Sequence, residues 1–370
     1  MTAPSWDTTA PEKTIKVTLD TQSYNVVVGY NNLSRLGRHI RQVVKNDNVF
    51  VLTDTRVGPL HAVRLKETLQ TDGFKDVTVV QVPEGEKSKS MEEYLNILGE
   101  VHRFSRGKPE KALMLNLGGG VVGDLGGFVA ATYTRGCNYI QVPTSLLAAV
   151  DSSLGGKVGV DFAGAKNIVG SFYQPGLVFI DLSLLKTLET KEVRTGLAEV
   201  VKYGVIKDST LFRYCEDNYE KLLGLDPEAT FHTVGICLQI KAGVVQEDVL
   251  DRKGIRAALN YGHTIGHAIE AASSYGYSHG EAVSIGMVAE NVIARELGLL
   301  DRESAGRVKN LLKNIGLPVV SKKFPVSEVF SYLSRDKKFT GGANRFVLPT
   351  EIGSVKLVSG VEERLVEKAL

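Results

Sequence analysis

The chain has 370 residues, 43% of them hydrophobic, which is apolar material for a substantial core and length for roughly two domains. Lys and Arg number 44 against 42 Asp and Glu, so the net charge of +2 supplies no overall field for nucleic acid or anionic lipid. Cys137, Cys215 and Cys237 lack CxxC spacing and point to reduced thiols in a cytoplasmic setting, and no apolar run approaches the ~20 residues of a membrane helix.

The opening "MTAPSWDTTAPEKT" lacks the basic-then-apolar order of a secretory signal, and residues 1–12 read as a flexible tail. "KTIKVTL" and "YNVVVG" follow as strands. "NVFVLTD" (48–54), "VTVVQVPEGE" (77–86), "KALMLNLGGG" (111–120) and "NYIQVP" (138–143) each run from a β-rich stretch into a polar or glycine-rich turn. Helical patterns separate them, which predicts βαβ units and a largely parallel, Rossmann-like sheet, with "GLVFIDLSLL" (176–185) as its last strand. From about Lys191 amphipathic helical patterns take over, so an α/β domain over 13–188 is followed by a mainly α-helical domain over 189–370. "RFVLPTEIGSVKLV" adds a small hairpin near the end.

In "LNLGGGVVGDLGGFVAA", Gly118, Gly120 and Gly123 satisfy G-x-G-x-x-G between a strand and a helix. Glycine lets backbone amides approach a pyrophosphate, and the helix N-terminus adds partial positive charge. The acidic residue expected about 20 positions later is absent, since that count lands near Pro143. Asp54, Glu86 and Lys89, at other strand ends, are candidates for the ribose. The segment "VPTSLLAAVDSSLGGKVGVDFAGAKNIVGSFYQP" then sets Asp151, Lys157, Lys166 and Asn167 among small residues, where flexible backbone exposes side chains to phosphate or a polyhydroxylated ligand. With Arg135, Lys241, Arg256, Lys337 and Lys338, the cations exceed what a dinucleotide requires.

"LNYGHTIGHAIEAASSYGYSHGEAV" holds three of the seven histidines. His263 and His267 lie four apart and share a helix face, so spacing alone favours them as a metal pair and leaves His279 unexplained.

"GGGVVGDLGGFVAATYTRG", "QVPTSLLAAVDSSLGGKVGV", "KNIVGSFYQP", "GLAEVVKYG", "LNYGHTIGHAIE", "HGEAV" and "DKKF…RFVLP" resemble, in order and spacing, the 3-dehydroquinate synthases, over about Lys13 to Val366. The resemblance implies a homodimeric cyclase that uses NAD and Zn2+, with Co2+ able to substitute. It acts on 3-deoxy-D-arabino-heptulosonate 7-phosphate by transient oxidation, phosphate elimination, re-reduction and aldol closure. It implies Glu199, His263 and His279 as metal ligands, with His267 turned to the substrate phosphate. Asp54, Glu86, Lys89, the Gly118–Gly119–Gly120 loop, Asp124, Thr144 and Thr187 resemble the family's NAD contacts. Asp151, Lys157, Asn167, Lys202, Asn260 and His267 resemble its catalytic groups. Lys166, Lys241, Arg256 and one lysine of the pair Lys337 and Lys338 resemble its substrate contacts, and Arg135 its reach into the neighbouring subunit's phosphate site. The interval between Lys241 and Arg256 is one residue longer than the usual spacing. Two other readings share parts of this pattern. A metal-dependent polyol dehydrogenase would need the NAD loop and the histidines but not so many cations, and a non-catalytic sugar-phosphate-binding protein would not keep the whole site chemistry.

Overall fold

The computed structural model describes residues 11–20, 22–108, 112–273, 276–321, 329, 332–333 and 344–370. The chain forms two compact units, one of residues 1–188 and 230–250, the other of residues 189–229 and 251–370. The first break follows Leu188. The second unit is not continuous, because most of a helix expected in it belongs with the first. Gln239, Lys241 and Gln246 of that helix bond Lys13, Asp151 and the Thr18 amide. Residues 1–10 of the expected tail lie outside the described residues, and Glu12 at its inner end is held by His39 at 3.0 Å and by Asn32 at 3.2 Å.

The first unit is built on strands β1 (Lys13–Val17), β2 (Tyr24–Gly29), β3 (Asn48–Asp54), β4 (Asp76–Val82), β5 (Leu113–Gly118) and β6 (Tyr139–Pro143), with β7 (Lys157–Phe162), β8 (Ala165–Phe172) and β9 (Leu177–Asp181) following. Seven of them form one sheet in the order β1-β2-β9-β6-β5-β3-β4. The β1–β2 pair is antiparallel and the remaining pairs are parallel. Continuous apolar runs suit strands covered on both faces, and Val49 through Leu52 are wholly buried. Their alternation divides the core. Val49 and Val51 face helices α1 (Leu36–Val43) and α2 (Val63–Thr71), while Phe50 and Leu52 face α3 (Met91–Ser105) and α4 (Gly120–Thr132).

The chain runs outward from β3 to β4, then returns across β3 to place β5, and continues in the other direction through β6. The strand order therefore reverses between β3 and β5. Asp54 ends one of these strands and Gly118 the other, so both stand at the position where open α/β sheets bind ligands.

The segment read as flexible glycine-rich backbone is instead the β7–β8 hairpin. Its two-residue loop, Ala163-Gly164, has positive φ at both positions (51° and 79°), which matches the twist of a tight hairpin. The alternation was short, and an alanine at the first loop position is not the usual signal.

The second unit contains α5 (Thr190–Ile206), α6 (Ser209–Leu223) and the start of α7 (Pro227–Glu247), then α8 (His263–Ala272), α9 (His279–Glu296) and α10 (Arg302–Ile315). The expected hairpin forms from β10 (Arg345–Glu351) and β11 (Ser354–Ser359), and α11 (Glu363–Ala369) follows. Ile265, Ile269, Ile285 and Ile293 of α8 and α9 share an apolar cluster with Phe346 and Leu348 of β10. The α8–α9 crossing admits no side chain at Gly286, where a Cβ would overlap the Gly262 carbonyl oxygen.

Candidate metal centre and ligand-binding residues

Three elements of the second unit converge on one carboxylate. Glu199 lies in α5 within an unbroken run of twelve buried residues, Thr195–Ile206, and is itself fully buried. His263 is the first residue of α8 and His279 the first of α9, whose N-terminus is fixed by a capping box between Ser278 and Glu281. Glu199 Oε1 lies 3.4 Å from His263 Nε2 and 3.1 Å from His279 Nε2. Lys202, one turn along α5 and also buried, forms an ion pair with Glu199 Oε2.

The ring of His263 is held from behind. Its Nδ1 lies 3.0 Å from the Tyr261 carbonyl oxygen, so Nδ1 carries the proton and the Nε2 lone pair faces Glu199. Burial lowers the basicity of His263 despite the adjacent Glu199. Burial alone would raise the Glu199 carboxyl, but Lys202, then His263 and the histidine hydrogen bonds, hold it well below the usual carboxylate range. At His279 burial is outweighed by the hydrogen bond to Glu199 and by the nearby Glu199 and Glu270 carboxylates, which push its pKa to about 9.

An ionised carboxylate and two imidazole nitrogens within 4.8 Å of one another form the donor set that zinc accepts with a fourth position open. A cation there would replace the proton that now links His279 to Glu199 and would meet the lone pair that His263 Nε2 already presents. The residues present therefore fit a divalent metal. Of the pair favoured by spacing, His263 belongs to this group and His267 does not. His267 stacks edge-on to His263 at 5.2 Å between ring centroids, yet it groups instead with Glu270 and His279. In the same unit, Arg256 is buried to 4% exposure in a short 3-10 turn, Ile255–Asn260, that ends immediately before the Tyr261–Gly262 link to α8. Asn260 closes that turn and is half-buried.

The first unit groups the expected cofactor residues around the reversal of its sheet. Gly118 ends β5, Gly119 precedes α4 in extended conformation (φ −78°, ψ −167°), and Gly120 begins the helix. Thr144 is buried beside them, its amide donating to the Gly118 carbonyl at 3.0 Å. Asp124, one turn into α4, accepts from Lys89 at 2.5 Å. Burial opposes the Lys89 charge, but Asp124 and Glu86 outweigh it and raise its pKa. Asp54 uses Oδ1 to accept from the amides of Arg56 and Val57, which fixes the turn after β3. Thr187 hydrogen-bonds His61 at 3.0 Å.

The expected substrate residues of this unit are held in pairs. Lys241, only 5% exposed, donates to the Asp151 carbonyl oxygen at 2.5 Å and lies 2.9 Å from its Oδ1. Lys166 lies 3.3 Å from Glu86. Lys157 and Asn167 are exposed on β7 and β8, and the Asn167 amide, at a left-handed φ of 54°, donates to Asp161 at 2.8 Å. Arg135 is exposed at the end of a turn in which Thr134 and Arg135 both have positive φ, 51° and 67°. A β-branched residue such as Thr134 rarely adopts that conformation. Lys337 and Lys338 lie outside the described residues.

Sequence reasoning passed over the residues behind these. Asp161 carries the Asn167 amide and donates its own to the Lys89 carbonyl. Glu290, fully buried in α9, accepts from the Gly262 amide at 2.7 Å, and Asn291 accepts from the Tyr261 hydroxyl at 2.6 Å. Both fix the link that orients His263. The signal was present: "GMVAENVIA" places an acid and an amide inside an otherwise apolar helical run, and "AIEAA" places the single acid Glu270 in another.

Similarity to known proteins runs through both units. Residues 79–195 match the family "3-dehydroquinate synthase N-terminal" and residues 196–339 the family "3-dehydroquinate synthase C-terminal". A 3-dehydroquinate synthase of Caldanaerobacter subterraneus subsp. tengcongensis is 46% identical over 94% of this chain and 97% of the relative. Among solved structures, the 2-epi-5-epi-valiolone synthase of Streptomyces hygroscopicus subsp. jinggangensis, with NAD+ and Zn2+ bound, is similar at a TM-score of 0.87 and 28% identity, covering 95% of this chain and 97% of that one. A 2-deoxy-scyllo-inosose synthase complexed with carbaglucose-6-phosphate, NAD+ and Co2+ gives 0.87 and 26%, covering 96% and 98%. With both of its domain families matched in order and near-full-length identity above 40%, the chain belongs to the 3-dehydroquinate synthase family.

Proposed function

We propose that this protein converts 3-deoxy-D-arabino-heptulosonate 7-phosphate to 3-dehydroquinate and inorganic phosphate, as a homodimer. The observation that carries the reading is the near-full-length identity of 46% to a protein of that activity. Solved relatives that hold NAD+ with Zn2+ or Co2+ support the same cofactors here. When bound, NAD+ would supply a hydride acceptor restored within each cycle, and the metal a Lewis acid at the hydroxyl being oxidised.

The chain's own residues do the remainder. The amides at Gly119 and Gly120 and the α4 N-terminus receive the pyrophosphate, with Asp54, Glu86, Lys89, Asp124, Thr144 and Thr187 around the rest of the nucleotide. Glu199, His263 and His279 hold the metal. Lys157, Asn167 and His267, with Arg135 from a partner copy, orient the substrate phosphate as it leaves. Lys166 and one lysine of the pair Lys337 and Lys338 add charge toward the sugar phosphate, while Asp151, Lys202 and Asn260 serve the proton transfers and hydroxyl contacts. Arg256 and Lys241 hold the substrate carboxylate, the guanidinium doing so bidentately.

A buried arginine at 4% exposure supports selectivity for a carboxylated substrate over sedoheptulose 7-phosphate, which has no carboxylate. A site built for a polar partner rejects the analogue lacking it by as much as about 10⁴-fold. Comparison of kcat/KM on the two heptulose phosphates tests this. Arg256→Ala is expected to narrow the gap by harming the carboxylated substrate, and comparable efficiency of the unaltered enzyme on both would overturn the proposal.

A further inference from the structure

His263 and His279 present the same nitrogen to Glu199, and each has its other nitrogen turned toward an oxygen. For His263 that oxygen is the Tyr261 carbonyl. For His279 it is the carboxylate of Glu270, whose Oε2 lies 3.8 Å from Nδ1, on the side of the ring away from Glu199. Glu270 sits seven residues after His263 on α8, two turns along the same face, and its side chain is 7% exposed. His279 is the first residue of α9, so nothing within its own helix precedes it to fix its ring.

We infer that Glu270 is a positioning residue for His279: its carboxylate accepts a hydrogen bond from Nδ1–H and so holds the ring in the tautomer that offers Nε2 to the metal. The inference rests on the reading of Glu199, His263 and His279 as the ligand set. A separation of 3.8 Å is longer than a hydrogen bond, and a small rotation of the ring about its Cβ–Cγ bond closes it. Carboxylate–histidine–metal chains of this kind fix ring orientation and raise the basicity of the ligating nitrogen. A peptide carbonyl serves His263 and a full negative charge serves His279. The two histidines should therefore respond unequally to loss of their supports, and the charged one is open to substitution.

The same three side chains, His267, Glu270 and His279, also lie close enough to hold a cation of their own. With a metal already on Nε2, that arrangement would require His279 to bind through both nitrogens at once, which demands an imidazole stripped of both protons. A donor hydrogen bond to Glu270 requires only the neutral ring. The positioning role is therefore the one the chemistry favours.

The test uses full-length protein stripped of metal and titrated with Zn2+ against a chromophoric chelator, then with Co2+ to read the visible ligand-field bands. Four proteins are compared: unaltered, Glu270→Gln, Glu270→Ala and His279→Ala. Unaltered protein is expected to bind one equivalent. Glu270→Gln, whose amide oxygen still accepts a hydrogen bond, should weaken zinc by roughly tenfold and Glu270→Ala by up to about a hundredfold, the range for outer partners of metal ligands. Both should keep intense four-coordinate cobalt bands, because the ligating atoms are unchanged. His279→Ala should lose tight binding and those bands together. Unchanged zinc affinity in both Glu270 variants overturns the inference, and so does a second equivalent in unaltered protein that disappears in Glu270→Gln. Tight single-equivalent binding retained in His279→Ala overturns the ligand set itself, a distinct outcome. Thermal unfolding of the metal-free proteins separates misfolding from a metal effect: equal midpoints with unequal affinities support positioning, whereas lowered midpoints with equal affinities make Glu270 structural and overturn it.

Discussion

The two units hold their candidate functional side chains by different means. In the second, Glu199, His263 and His279 stand on helices whose backbones approach so closely that Gly286 faces the Gly262 carbonyl, and buried Glu290 and Asn291 pin the link before His263. In the first, Lys89, Lys166 and Lys241 are each held by an acidic neighbour, Asp124, Glu86 and Asp151. A metal site needs fixed donors, since the ion cannot adapt its geometry cheaply to a loose set. A site for anions can keep its cations paired with carboxylates and exchange those partners for ligand oxygens. Rigid packing on one side and exchangeable charge pairs on the other suit the two kinds of ligand.

The contrast breaks most sharply at the proposed metal ligands. Glu199→Ala or His263→Ala should cost well over the roughly hundredfold in zinc affinity typical of outer partners, and abolish turnover. His267→Asn should retain near-stoichiometric metal and lose rate, as measured by metal analysis and turnover on the same preparations. Equal metal loss in His267→Asn and His263→Ala would restore the pairing that spacing alone suggests.

A smaller effect is expected from packing. Gly286→Ala drives a methyl into the Gly262 carbonyl, and overpacking of this kind costs about 1–3 kcal/mol. The apparent Tm should fall by several degrees and zinc should bind more weakly, read by calorimetry and chelator competition. A variant with unaltered Tm and metal affinity would show that the α8–α9 crossing is not tight.

In the first unit, Lys241→Ala leaves Asp151 without its partner while removing a cation expected at the substrate carboxylate. KM for the heptulosonate phosphate should rise by more than an order of magnitude with zinc stoichiometry unchanged, which distinguishes the two kinds of site in one variant. The smallest change belongs to the Lys166–Glu86 pair, whose side chains are 29% and 42% exposed. Exposed pairs contribute about 0–1 kcal/mol, so Lys166→Ala should leave the unfolding midpoint within a degree or two while weakening substrate binding. A large loss of stability would mean that the pair is structural.

Much of this was legible in the sequence, for physical reasons that differ by element. The strands of the parallel sheet announce themselves because burial on both faces demands continuous apolar runs, as in "NVFVLTD". The hairpin β7–β8 did not, because β8 is largely exposed and glycines interrupt the alternation of both strands. The return of Thr230–Leu250 to the first unit depends on side-chain bonds to residues more than two hundred positions earlier, which no local pattern carries. At the candidate metal centre, helical spacing drew His263 and His267 together correctly as neighbours, yet it could not register that His279 begins another helix crossing the first. Family motifs, not periodicity, singled out Glu199 from the other acids of the chain. The supporting residues Glu270 and Glu290 stayed hidden because an acid in a helix is ordinarily a solvated one.

The most direct test of the proposed activity follows three quantities in one reaction started with the heptulosonate phosphate, zinc-loaded enzyme and NAD+. These are inorganic phosphate, 3-dehydroquinate identified by mass, and NADH absorbance. Phosphate and 3-dehydroquinate should appear in equal amounts while NADH never exceeds the concentration of enzyme sites, because the hydride leaves and returns within one cycle. NADH accumulating in proportion to substrate consumed, without phosphate release, would contradict the cyclase and identify a dehydrogenase.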